Sequence, residues 1–105
     1  MTSKQTRKML KSRNKFNREV IGRDMKCRIA GSDCSGHLEP HHIVGRVSSI
    51  DDVPENGITL CTWHHQRITD GHLKVHASWL TADQIEFIEK RKWPMWDGII
   101  WDRNG

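Results

Sequence analysis

Residues 38–65, LEPHHIVGRVSSIDDVPENGITLCTWHH, decide how this chain folds, because residue types that bind metals and protons lie near both ends of the stretch. Those side chains are His41, His42, Cys61, His64 and His65. Asn56 and the apolar run 58–60 lie between the two groups. We therefore expect one turn of the chain to bring the two groups together as a single site.

Turn residues and apolar runs divide this stretch into short elements. Pro54 interrupts regular structure in a polar loop, and Asp70-Gly71 ends the segment that follows the stretch. The predicted order is a strand at 37–44, a polar loop at 48–55, a strand at 57–60 and a helix from Cys61 or Thr62 to Thr69. Two strands and a helix would thus hold the whole site.

The segments before this stretch predict a helix and a loop. Residues 3–21 carry three apolar residues at helical spacing, a stripe so narrow that the helix is expected to pack weakly. Residues 22–36 are rich in turn residues and predict a loop built around Cys27 and Cys34.

A second helix is predicted near the C-terminus. Thr81 followed three residues later by Gln84 forms a capping box, which predicts a helix start, and Pro94 predicts its end. The tail beyond it is apolar, with Trp93, Met95, Trp96, Ile99, Ile100 and Trp101. Its tryptophans either cover the small core or stack on a nucleic acid or a partner subunit, and we favour the core.

Length and composition limit the class of protein. A chain of 105 residues is long enough for one domain with a modest core. No apolar run approaches the roughly 18 residues that span a bilayer, and no secretion signal is present, so we expect a cytoplasmic protein with no membrane partner. Three cysteines, an odd number, argue against a disulfide framework and favour metal ligation.

Positive charge is concentrated at the N-terminus. Residues 1–28 hold ten Lys or Arg against two acidic residues, so they carry +8, and because the whole chain carries +4 the rest must carry −4. A basic arm of this kind is typical of proteins that bind the phosphates of nucleic acid. The side chains predicted to contact DNA from this arm are Lys8, Lys11, Lys15 and Arg18. The alternative is a solvated helical face.

The three cysteines and one histidine match a zinc site. Cys27, Cys34, Cys61 and His64 form a Cys3His set that suits tetrahedral zinc. Cys61 and His64 are three residues apart at a helix start, so their side chains point to one side, whereas the longer spacing of the first pair is a weaker signal. We predict a structural Zn²⁺ that staples the small core; the alternative is three ordinary buried thiols.

Three histidines remain once the zinc site is filled. His65 lies about 100° around the helix from His64, so the two rings can serve different ions, although the angle does not decide which of them binds zinc. His41 and His42 are neighbours on a strand, where successive side chains diverge, so we expect them to have different roles. Each could be merely structural, but three histidines at one hairpin and helix favour a functional site.

The central motifs resemble those of the HNH endonucleases, which belong to the ββα-metal nuclease superfamily. The matching segments are EPHHI at 39–43, NGITLC at 56–61 and His64-His65, and the likeness covers residues 16–70, about half of the chain. His64 stands where the family more often has a fourth Cys, and His41 stands where Asp is common. Both replacements can bind a metal, so they bear on metal preference more than on function.

The resemblance implies hydrolysis of DNA phosphodiesters with one divalent ion, leaving 5′-phosphate and 3′-hydroxyl ends. His42 would be the general base. Asn56 would brace the loop between the strands and orient His42. His41 and His65 would bind the ion. Mg²⁺ or Mn²⁺ is implied, with Ni²⁺ or Co²⁺ as further candidates because two imidazoles suit softer ions.

Two arginines flank the site. Arg46 follows the first histidine pair and Arg67 follows the second. Each is either a contact to backbone phosphates of DNA or an ordinary surface arginine.

The predicted fold is one α+β domain over residues 1–105, a ββα-metal (HNH) core with a structural zinc knuckle. Its parts are a basic N-terminal helix at 1–24, the zinc knuckle and core at 25–70, and a C-terminal helix with a Trp-rich tail at 71–105. The resemblance suggests a small free-standing, phage-encoded type of enzyme. We expect a monomer or weak homodimer that binds DNA without a small-molecule cofactor and makes nicks or double-strand cuts.

Two other functions remain open. One is a zinc-knuckle module that binds nucleic acid without cutting it, and the other is a toxin nuclease domain or a restriction component. The joint presence of His42, Asn56 and His65 favours the enzyme, because binding alone requires none of them.

Overall fold

The computed structural model describes the backbone of residues 3–46, 49–91 and 98–102, and the side chains of these ranges from residue 13 onward. The described residues form a small α+β fold, as predicted. Its main elements are α1 (Ser3–Asp24), β1 (Leu38–His42), β2 (Gly57–Cys61), α2 (Thr62–Thr69), β3 (Val75–His76), α3 (Ala82–Arg91) and β4 (Ile99–Ile100). None of the helices in these ranges has the length and apolar character needed to cross a membrane.

The central stretch forms an antiparallel hairpin of β1 and β2, followed directly by α2. Leu38 pairs with Cys61 at one end of the hairpin, and His42 pairs with Gly57 at the other. The predicted strand at 37–44 is therefore too long, because the chain bends at Ile43 and Val44. The bend forms because the backbone of Val44 bonds to a side chain of the loop instead of continuing the ladder.

That side chain belongs to Asn56, which is fully buried. Its Oδ1 accepts a 2.8 Å hydrogen bond from the Val44 N–H, and its Nδ2 donates to the carbonyls of Val44 and Asp51, each at 3.0 Å. A buried amide with three backbone partners has little freedom to move, because each lost bond would leave a desolvated polar group. These bonds brace the loop between the strands, which contains 3₁₀ turns at Ser49–Asp51 and Pro54–Asn56.

Helix α1 packs against the outer edge of β2. Phe16 and Val20 are buried at 1% and 0% exposure, and the Thr59 hydroxyl donates to the Val20 carbonyl at 3.1 Å. The Thr59 N–H donates to Asp24 at 3.0 Å, and Arg23 donates to the Gly57 carbonyl at 2.7 Å. The apolar spacing was read over residues 3–21 and the helical region was given as 1–24, and α1 ends at Asp24. The expectation of weak packing is wrong for the C-terminal half of α1, because these contacts cover an open strand edge.

The predicted capping box at the start of α3 is confirmed. The Thr81 hydroxyl accepts from the backbone N–H of Gln84 at 3.3 Å, and the side-chain Oε1 of Gln84 accepts from the backbone N–H of Thr81 at 2.7 Å. Gln84 also donates to the Gly57 carbonyl at 2.6 Å, which joins α3 to the start of β2.

The C-terminal segment returns to the body of the domain. β4 pairs in parallel with β3, Val75 opposite Ile99, and this sheet was not predicted. Ile99 is buried, as expected for a tail that covers the core, but Ile100 and Trp101 are 39% and 40% exposed. Trp93, Pro94, Met95 and Trp96 lie outside the described residues.

At Gly57, β2 lies in close contact with α1 and is bonded to α3 through Gln84. A Cβ atom at Gly57 would lie 2.2 Å from Cγ2 of Val20 and 2.8 Å from Cε2 of Phe16. Its φ of −122° is open to any residue, so the constraint is contact alone.

We predict that Gly57→Ala lowers the free energy of unfolding by about 1–3 kcal/mol, the usual cost of overpacking a core. Gly45→Ala is the matched control, because a Cβ there meets nothing within 4 Å, and it should change stability by less than about 0.5 kcal/mol. Urea unfolding followed by circular dichroism measures both. Equal effects of the two substitutions would contradict this packing.

Candidate metal centres

The predicted Cys3His grouping is confirmed in the described residues. The sulfurs of Cys27, Cys34 and Cys61 lie 3.5, 3.5 and 3.2 Å from Nδ1 of His64. Zn–S bonds of about 2.3 Å and a Zn–N bond of about 2.0–2.1 Å at tetrahedral angles would give S···N separations of about 3.5 Å. The four side chains could therefore bind a metal such as zinc.

The donor chemistry of the cluster fits a cation. Burial alone would raise the pKa of the Cys27 thiol, but the backbone N–H groups of Cys61, Ala30 and Ile29 and the His64 ring lower it to about 7. Burial, together with the sulfurs of Cys27 and Cys61, raises the pKa of Cys34 to about 11. Three thiolates this close repel one another, and a bound cation removes that repulsion.

Backbone geometry directs these N–H groups at the sulfur. Ala30 has a φ of +49°, a left-handed conformation that costs a non-glycine residue about 1 kcal/mol or more. The cost is offset because the turn aims the N–H groups of Ile29 and Ala30 at Cys27.

An exposed carboxylate supports the histidine of this cluster. Nε2 of His64 lies 3.1 Å from Oδ1 of Asp33. Because a carboxylate only accepts, this bond places the ring proton on Nε2 and leaves the lone pair on Nδ1, which faces the sulfurs.

His65 points away from the cysteines and toward β1. Its ring lies edge-on to that of His41, with centroids 5.1 Å apart. Two imidazoles on one ion, with metal–nitrogen bonds of about 2.1 Å, would have ring centres about 5 Å apart. Nδ1 of His65 lies 2.7 Å from Oε1 of Glu39, which leaves the lone pair on Nε2. That hydrogen bond also keeps the pKa of Glu39 below its usual value.

His41 is suited to metal binding because it stays neutral. Burial, followed by the nearby charges of His65 and His42, lowers the pKa of His41 to about 4. A neutral ring keeps a lone pair for an ion at pH 7.

His42 lies on the opposite face of β1 from His41, as the alternation of a strand requires. Its ring stacks on Phe16, with centroids 4.0 Å apart and planes 5° from parallel. Nε2 of His42 lies 2.9 Å from Oδ1 of Asp52, whose side chain is fully buried. The two neighbouring histidines thus have different surroundings, which agrees with the expectation of different roles.

The arginines and lysines predicted to contact DNA have diverse surroundings. Arg46 is bonded to both oxygens of Asp52 at 2.8 Å and is mostly buried, so its guanidinium is already engaged. Arg67 lies over the exposed ring of Trp63, and its Cζ is 5.4 Å from the ring centre.

On α1, Arg18 is exposed and Lys15 pairs loosely with Glu19 at 3.7 Å. The side chains of Lys8 and Lys11 lie outside the described part.

Sequence reasoning assigned no role to the carboxylates that support these histidines, Asp33, Glu39 and Asp52. Glu39 had a local signal, because it lies two residues before His41 and so shares its strand face. Asp33 and Asp52 had none, because each lies in a loop whose path depends on tertiary contacts.

Comparison with known proteins adds no family to this description. No protein-family model matches the chain, and neither a curated protein nor a solved structure matches it.

We predict that the purified chain contains one tightly bound zinc and that Cys34→Ser loses it. The substitution should lower the free energy of unfolding by about 4 kcal/mol or more, or abolish cooperative unfolding, as expected for loss of a structural metal. Elemental analysis and thermal unfolding measure these effects. His72→Ala, at an exposed histidine outside the cluster, should change neither. A zinc-free wild type, or an unchanged melting temperature in Cys34→Ser, would refute the site.

We also predict a contribution of His41 to stability that depends on pH. Its pKa is about 4 in the folded chain and about 6.5 when unfolded, so protons bind the unfolded state first as the pH falls. The contribution is complete above about pH 6.5 and declines between about pH 6.5 and 4, with a loss of about 1–2 kcal/mol by pH 5.

His41→Gln should remove this decline. Urea unfolding of both proteins at several pH values, with zinc present and no other divalent ion, gives the difference. A wild type and variant with parallel pH profiles would contradict the shift.

Proposed function

We propose that this chain is a metal-dependent DNA endonuclease that hydrolyses phosphodiester bonds, making nicks or double-strand cuts. The observation that supports it most is the approach of the His41 and His65 rings, together with a third histidine, His42, which follows His41 on β1 and contacts a buried carboxylate. Phosphodiester hydrolysis needs a base for the attacking water and positive charge on the leaving-group side; His42 would supply the base, and His41 and His65 would hold the cation that supplies the charge.

We propose that the β1–β2 hairpin and α2 form a ββα-metal core. The hairpin supplies His41 and His42 from one strand, and the helix supplies His65 one residue after the zinc cluster. Cys61 ends β2 and its Sγ accepts from the His64 N–H at 3.5 Å, so the zinc knuckle fixes where α2 begins. This placement would keep His65 in register with His41.

His41 and His65 would hold the catalytic ion, and their donor atoms fit one. His65 has its Nε2 lone pair free because Nδ1 is bonded to Glu39, and His41 is neutral. When bound, Mn²⁺ or Mg²⁺ would stabilise charge on the phosphate and on the leaving 3′ oxygen; Ni²⁺ and Co²⁺ also suit imidazole ligands.

His42 would act as the general base and take a proton from the attacking water. Its ring is held between Phe16 and Asp52 and is mostly buried, so it would not need to be ordered during the reaction. Asn56 would keep the end of β1 in place through its bonds to Val44.

DNA would be held by the basic N-terminal arm. Residues 1–28 carry +8, and α1 packs directly beside the hairpin that carries the histidines. Exposed Arg18 and Lys15, with Lys8 and Lys11, would contact phosphates, and Arg67 would add a contact from α2. The contact predicted for Arg46 stays a prediction, and its Nε and Nη2 are bonded to Asp52.

The alternative is a module that binds nucleic acid without cutting it. One observation favours it: Trp63 is 43% exposed under the Arg67 guanidinium, a platform on which a base could stack. This function would need the zinc knuckle and the arm but neither His42 nor His65.

Supercoiled plasmid separates these functions. We predict that the zinc-loaded chain relaxes or linearises plasmid with Mn²⁺ at least as fast as with Mg²⁺ and is inactive in EDTA. His42→Ala should reduce the rate by about 10²- to 10⁴-fold, the usual contribution of a general base, while DNA binding in a gel-shift assay is unchanged. His72→Ala should cut like the wild type.

Two outcomes would refute the enzyme. A wild type that binds DNA but never cuts it with any of the four ions would favour the binding module. A His42→Ala variant as active as the wild type would remove the proposed base.

A further inference from the structure

We infer that Asp52 is a positioning residue for His42: its carboxylate fixes the ring proton on Nε2 and makes Nδ1 the atom that takes the proton from water. The inference rests on the proposed function, because it assigns a support to the base of that reaction. It goes beyond the motif, which contains no residue of the loop 49–55.

The contact between the two side chains decides the tautomer. Nε2 of His42 lies 2.9 Å from Oδ1 of Asp52, and the Asp52 side chain is fully buried. An ionised carboxylate can only accept hydrogen bonds, so Nε2 must carry the proton in the neutral ring. The lone pair of the ring is then on Nδ1.

Arg46 holds the carboxylate in a single orientation. Its Nε donates to Oδ1 at 2.8 Å and its Nη2 donates to Oδ2 at 2.8 Å, a bidentate pair. Oδ1 of Asp52 is therefore shared between Arg46 and His42. The positive charge of Arg46 balances the buried negative charge of Asp52, so the pair is stable beside a neutral imidazole.

Phe16 restrains the remaining freedom of the ring. It is 1% exposed and stacks on the face of His42 at 4.0 Å, so the plane of the imidazole is fixed from one side. Asp52 contacts the edge and distinguishes Nε2 from Nδ1, which stacking alone cannot do. Face and edge contacts together define both the plane of the ring and its flip state.

Asp52→Asn tests this role because it keeps the shape and changes the donor pattern. The remaining oxygen would stay against Arg46, whose Nε already lies 3.0 Å from Oδ2. The new NH₂ group would then face His42, so Nε2 must accept and the ring proton moves to Nδ1. The base atom would be blocked with little change in the packing.

Asp51→Asn is the matched control. Asp51 is the neighbouring residue, is also fully buried, and pairs with a different arginine, Arg91, at 2.8 Å. Asp51→Asn therefore changes a buried carboxylate that pairs with arginine, whereas the carboxylate bonded to His42 Nε2 is left in place.

The experiment combines ring ¹⁵N NMR with kinetics. Spectra of the zinc-loaded chain without a second ion, at about pH 8 where an unperturbed imidazole is neutral, report which nitrogen carries the proton. His42→Gln assigns the signals. We expect the proton on Nε2 in the wild type and in Asp51→Asn, and on Nδ1 in Asp52→Asn. In plasmid cleavage, Asp52→Asn should lose about 10²- to 10⁴-fold in kcat with KM unchanged, whereas Asp51→Asn should lose less than about threefold.

Several results would overturn the inference. A wild-type ring protonated on Nδ1 would do so without any variant, so the test does not depend on how Asp52→Asn folds. An unchanged tautomer in Asp52→Asn, or kcat losses that match in the two Asn variants, would reduce Asp52 to a structural residue. A wild type that never cleaves DNA would instead refute the proposed function. The NMR result would still decide whether Asp52 determines which ring nitrogen of His42 carries the proton.

Discussion

Three cysteine sulfurs lie within 3.5 Å of a single histidine nitrogen, and the rest of the site depends on this constraint. Without a cation, the sulfurs would repel one another as soon as they ionised. Cys61 belongs to this cluster, ends β2 and caps α2, so one residue ties the metal site to the hairpin and to the helix. A metal bound at this cluster would stabilise a small chain that has only a modest core. The helix that follows the cluster holds His65 over β1.

Carboxylates contact three of the four histidines of the central stretch, and His41 is the exception among these four. In every pair the carboxylate accepts a hydrogen bond from a ring N–H, so the other ring nitrogen keeps the lone pair. The pairs are His64–Asp33, His65–Glu39 and His42–Asp52. The same interaction thus supports a structural ligand, a proposed catalytic ligand and a proposed base.

The sequence predicted the features that depend on contacts between residues close together in the chain. The capping box of Thr81 and Gln84 and the one-sided spacing of Cys61 and His64 involve residues three apart, and both features are present. The close packing of α1 was missed because Arg23 and the residue after it bond to β2 through polar groups, which the spacing of apolar residues does not show. The partners of the histidines were missed because they lie 10 to 31 residues away, and the β3–β4 pair was missed because its strands have two residues each.

The central claim is that the two adjacent histidines of α2 serve two different metal centres. It is tested most directly by titrating the zinc-loaded chain and its His65→Ala variant with Mn²⁺ by isothermal calorimetry, with zinc content measured in the same samples. We expect one Mn²⁺ site in the wild type, its loss in His65→Ala, and one zinc per chain in both. A variant that loses zinc, or that binds Mn²⁺ as tightly as the wild type, would contradict the division of His64 and His65 between the centres.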